Sequence, residues 1–171
     1  MSNPAIPRDQ VHSLSEACGN DPLGFQSIAA RLMKDQRRLG RFFEENVAAL
    51  GGKAAQIGLY MMTVCLRVID QSGGRLYKVS GDDIAAASAK ISAVAGGLLP
   101  ADAGFADRAK AIEWRAQPHL LDEILWALYE RSPEQIKDGE ADLSPKESAL
   151  LYLALWTAVE AMDANWKPGK A

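Results

Sequence analysis

A chain of 171 residues, 48% hydrophobic and 24% charged, is long enough to bury a core in one domain without covalent staples. Its formal net charge of −3 excludes a global field that would draw it to nucleic acid or anionic lipid. Two cysteines, Cys18 and Cys65, make neither a disulfide framework nor a zinc site, and the expected setting is reducing and cytoplasmic.

The opening, "MSNPAIPRDQVHSLSEACGN", is polar, carries Pro4 and Pro7, and has no apolar core of signal-peptide type. Residues 1–19 are expected to be loosely structured. The first helix is expected to start near Asn20–Pro22, with a capping side chain and an early proline, and to close at Gly51–Gly52. Within it, "RLMKDQRRLGRFFEEN" (31–46) holds Arg31, Lys34, Arg37, Arg38 and Arg41. At about 100° per residue these cations share one arc, opposite Phe25, Ile28, Leu32, Leu39, Phe43 and Val47. Gln36 and Asn46 fall on the apolar side. The basic stretch is therefore first of all the solvated face of an amphipathic helix. Its cations precede Glu44 and Glu45, against the preferred order along a helix, so an acidic partner explains them better than local stability does.

A second helix is expected over Lys53–Ser72, apolar on nearly every side around "IGLYMMTVCL" (57–66) and forming a hairpin with the first. "RLYKV" (75–79) reads as a brief extended piece with no evident partner strand. The third helix opens at "SGDDI", with Ser80 or Asp82 as cap, and carries the stripe Ile84, Ala87, Ile91, Val94 and Leu98 up to Gly96–Gly97. A fourth is expected over Phe105–Ala116, and a fifth from Pro118 to just before Ser132–Pro133. "SPEQIKD" then reads as a turn that breaks at Gly139. In the last helix Ser144 caps, Pro145 fills the first position and Glu147 reaches back to the cap. "SALLYLALWTAVEAM" follows, apolar almost all round, and residues 168–171 form a tail. The apolar runs are too short to span a bilayer. The expectation is an all-α, compact single-domain bundle of about six helices over residues 20–167, its second and last helices central and mostly buried.

Chemical motifs are scarce. There is no phosphate loop and no nucleophile elbow, and only His12 and His119 supply imidazole. The nearest approach to a di-metal bundle is His119 with Glu123, plus Asp122, Glu113, Glu160 and Asp163, but "EAMD" (160–163) has the wrong second ligand. Neither a metal nor a cofactor is expected. Arg67 and Glu160 interrupt apolar runs, and a buried charge needs a partner or an exit to water. Arg67 has Asp70 three residues on; otherwise Arg67, Glu160, Gln36 and Asn46 would line a polar pocket.

"LSPKESALLYLAL" (143–155) resembles the opening helix of some helix-turn-helix regulators. That resemblance implies a recognition helix next, and here the helix continues and the chain stops. Trp114, Trp126, Trp156 and Trp166 lie away from the basic stretch, so nucleic acid is disfavoured. Residues 119–147 carry eight acids and three bases, which sets an acidic region against the basic one. The two could pair within the chain, between copies or with another protein. The sequence thus points first to a non-catalytic interaction or regulatory protein, a homodimer or the partner of another protein. A ligand-binding or enzymatic bundle comes second and nucleic-acid binding through the basic face third, with any small-molecule ligand left open.

Overall fold

The computed structural model describes residues 3–130 and 143–169, and among these the chain forms eight α-helices and one two-stranded sheet. The fold is all-α, with two helices more than expected. None of the described helices is long and apolar enough to cross a membrane.

The first departure is at the N-terminus. Residues expected to be loose form α1 (Arg8–Asn20), which buries Val11 and Cys18. Those two with Leu14 make a narrow apolar stripe, sufficient once neighbouring helices cover it. The lead-in is tied down as well. The Ile6 amide donates to Gln117 Oε1 at 2.9 Å, and Asn3 Nδ2 donates to the Asp163 and Trp166 carbonyls at 2.9 and 2.8 Å.

The single helix expected up to Leu50 is instead α2 (Pro22–Asp35) and α3 (Arg37–Val47), followed by a 3-10 turn, Ala48–Leu50. The Asp21 side chain caps α2 by accepting from the Gly24 amide. The break falls at Gln36, whose buried side chain donates to the Tyr77 carbonyl and accepts from the Val79 amide. A polar residue on the apolar side is satisfied by backbone across the core, and the helix kinks to let it reach.

Gly51, at φ 102°, turns the chain into α4 (Gly52–Gln71). Within α4, Gly58 lies so close to Phe43 and Leu151 that a Cβ would strike both side chains. The extended piece at residue 75 does find a partner. β1 (Arg75–Leu76) pairs antiparallel with β2 (Trp166–Lys167), just beyond the last helix. Gly74, at φ 70°, leaves no room for a side chain against the Lys167 carbonyl.

The remaining helices are α5 (Gly81–Leu98), α6 (Phe105–Lys110), α7 (Pro118–Leu125) and α8 (Pro145–Ala164). Capping boxes start two of them, Ser80 with Asp83 on α5 and Ser144 with Glu147 on α8. α5 runs through Gly96 and Gly97 instead of closing there, and α6 covers only half of the expected fourth helix. Past α7 the backbone loosens into a π turn, Trp126–Glu130. "SPEQIKD" and Gly139 lie outside the described residues.

α8 is the axis. From Ser148 to Asp163 only Leu150 and Leu153 escape full burial, and α5, α4, α3 and α7 pack around it. Trp156, Tyr152, Leu151 and Leu155 reach 0% exposure, each worth roughly 1.5–3 kcal/mol of transfer free energy. α4 is the second central helix. Its burial concentrates between Met62 and Ile69, while Leu59 and Tyr60 remain 40% and 44% exposed.

Candidate functional site

The uncovered side of α4 is the floor of a cleft of about 550 Å³, walled by α1 on one side and by α7 and the π turn on the other. Ile57, Tyr60, Met61 and Val64 supply the floor, and Leu120, Ile124 and Ala127 the opposing wall. Polar groups gather at its edges: Lys53 and Gln56 from the start of α4, and Ser15, Glu16 and Asn20 from α1. A shallower apolar depression between α2 and α4 adjoins it, sharing Gln56 and Tyr60.

At the mouth, His12 is clasped between two carboxylates. Its Nδ1 lies 3.0 Å from Glu123 Oε1 on α7, and its Nε2 lies 3.1 Å from Glu16 Oε1 one turn along α1. The Trp126 ring meets the imidazole edge-on, with centroids 6.2 Å apart. The hydrogen bond that the imidazole donates to Glu123, with that carboxylate's charge, holds the His12 pKa above the usual imidazole value. Both ring nitrogens face carboxylate acceptors, an arrangement that favours the protonated imidazole. Cys65 also lines the cleft, but burial pushes its thiol up to about 12, far from a reactive thiolate.

The polar residues singled out from the sequence do not converge. Arg67 is half-buried on α4, 3.4 Å from Asp70, which Arg31 also approaches at 3.7 Å. Asn46 is exposed and donates to the Phe42 carbonyl in its own helix. Gln36 binds the backbone at Tyr77 and Val79. Glu160, like Gln36, is buried. Its Oε1 accepts from the Ala116 amide at 2.8 Å and from Trp156 Nε1 at 3.1 Å, and Lys90 approaches Oε2 at 3.7 Å while lying over the Trp114 ring. These four residues belong to four separate environments, and none lines the cleft. The expected polar pocket is thereby corrected: each group finds its own nearest backbone or charge.

The acids considered for a metal are similarly dispersed. Asp122 pairs with Arg115 at 2.9 Å, Glu123 with His12, and Asp163 accepts from Gln117 and Asn3. Among the described residues no group of three or more His, Cys, Asp or Glu side chains is placed to hold a metal ion. Arg31, Lys34, Arg37, Arg38 and Arg41 are all exposed, spread over two helices instead of one. Compared with family models, with curated proteins and with solved structures, the chain matches none.

The cleft residues went unnoticed in the sequence because three distant segments build it. One signal was available. Residues 57–61 of α4 are as apolar as the rest of that helix, yet nothing in the sequence says which side its neighbours leave open.

Proposed function

We propose that this chain is a non-catalytic binding protein whose cleft between α1, α4 and α7 takes a largely apolar small molecule. The observation that carries this is the cleft itself. Its volume of about 550 Å³ falls within the range typical of small-molecule sites, and its apolar floor is edged by a few polar groups. The test uses prodan, a neutral naphthalene dye whose emission shifts to the blue in apolar surroundings. Saturable, blue-shifted binding to the native protein is the expected result, lost in Ile57→Trp, which fills the floor. No binding, or binding that Ile57→Trp leaves unchanged, contradicts the proposal.

A second reading concerns an acidic protein surface, another copy of this chain included, docking on the basic face of α2 and α3. Its support is electrostatic. Among the described residues Lys34, Arg37 and Arg38 have no acid within ion-pair distance, whereas Asp122, Glu123 and Glu130 are taken up by Arg115, His12 and Lys110. Light scattering across a salt series tests it, with Arg37→Glu/Arg38→Glu expected to abolish any salt-sensitive association. A reducing, cytoplasmic setting belongs to the same proposal and is supported by two buried free thiols, Cys18 and Cys65.

A further inference from the structure

The cleft is polarised along its length. Gln10, early in α1, bonds Ser72 just beyond α4 at 3.2 Å, while Gly19, late in α1, faces the Tyr60 hydroxyl, so the two helices run antiparallel. Lys53 and Cys65 mark the extremes of the α4 lining, about 18 Å apart at the helical rise per residue. Lys53 therefore stands at one end, and His12, Glu16, Glu123 and Trp126 at the other. Mostly apolar side chains fill the interval, with Ser15, Asn20 and Gln56 along its edges.

We propose that the cleft binds an organic cation, an amine on an apolar body, with its ammonium held between Glu16 and Glu123 beside Trp126. The inference rests on the reading of the cleft as a ligand site and adds the chemical class. His12 is the chain's own example of such a guest: a flat organic cation with an acceptor on each nitrogen and an indole edge against its ring. The niche accepts hydrogen bonds and offers negative charge, which suits a group that only donates. Glu123 keeps 18% side-chain exposure, so its charge is less screened than that of a surface acid. The His12 side chain is 47% exposed, and it swings outward as an ammonium takes its place. Lys53 repels a cation at the far end, which fixes the ligand's direction.

A proton on His12 competes with the guest. The charged groups around the imidazole are Glu16 on its own helix, Glu123 on α7 and the neighbouring Arg8–Asp122 pair; Lys53 on α4 is at the distant end. Glu123 holds the imidazole proton to higher pH than usual. As pH rises through that value the proton leaves, both carboxylates are uncompensated, and amine binding strengthens.

The experiment follows the Trp126 indole N–H by NMR while phenylbutylamine, phenylbutanol or phenylbutyrate is added. The three probes share one apolar body and differ in head-group charge. The amine is expected to bind on the order of tenfold more tightly than the alcohol, with the acid weakest, and to tighten with rising pH in the unaltered protein. Glu16→Gln/Glu123→Gln should bring the amine down to the level of the alcohol and leave the alcohol unchanged. His12→Ala should keep amine binding and flatten its pH profile. Equal affinities, a preference for the acid, or a flat pH profile in the unaltered protein overturn the cation class while prodan binding leaves the ligand site standing. Failure of prodan and all three probes removes both readings.

Discussion

α4 and α8 are each 20 residues long and apolar nearly all round, yet they meet different fates. α8 is enclosed by α3, α4, α5 and α7, and Glu160, a buried charge within it, is satisfied by the Ala116 amide, the Trp156 indole and Lys90. α4 packs on α1, α2, α3 and α8, but its first half is left open between α1 and α7. Apolar composition states how much surface a helix should bury. The arrangement of neighbours decides how much is buried, and the remainder of α4 is the floor of the cleft.

Substitutions can sharpen or break that contrast. The largest loss is expected for Trp156→Ala in α8, about 4 kcal/mol by urea unfolding, because a fully buried ring is removed and its hydrogen bond to Glu160 goes with it. Glu160→Ala should cost about 3 kcal/mol by the same measurement, since the Ala116 amide and the Trp156 indole N–H are left without an acceptor. Ser144→Ala, which unmakes the cap of α8, should cost about 1 kcal/mol.

On the α4 side the effects are smaller. The folded-state pKa of His12 lies above its ordinary 6.5, so the clasp's contribution is fully present below 6.5 and is lost as pH rises through the folded value. A urea midpoint that falls over that window, and does not fall in His12→Ala, is the expected result. Leu59→Ala should cost no more than about 1 kcal/mol, because its side chain is already 40% exposed. A loss comparable to that of Trp156→Ala would mean that α4 is enclosed like α8.

Signals confined to one turn were legible in advance. Ser144, Pro145 and Glu147 announce the start of α8, and Ser80 that of α5. Of the stripe Ile84, Ala87, Ile91, Val94 and Leu98, all are buried but Val94, which is half-buried. Features that depend on distant chain were not. Gln36 breaks a continuous helical pattern because its amide reaches the backbone at Tyr77 and Val79, far along the sequence. Arg75–Leu76 found its strand partner only at Trp166–Lys167. The short stripe of α1 is too slight to declare a helix until α4 and α7 cover it. Arg67 and Glu160 both looked conspicuous by context, yet one needed only Asp70, and the other needed Trp156 one turn back in α8 and two partners from elsewhere in the fold, the Ala116 amide and Lys90. The clasp of His12 by Glu16 and Glu123 had half its geometry in the sequence, the one-turn spacing within α1; the other half required α7.

The most direct test of the account is a map of amide and indole NMR shifts recorded as prodan is added to the intact protein. The account predicts movement at Ile57, Tyr60, Met61, Ile124 and Trp126, with the amides of α8 from Leu151 to Val159 unmoved. Shifts centred on α8 or on the basic face of α2 and α3, or none at all, would contradict it.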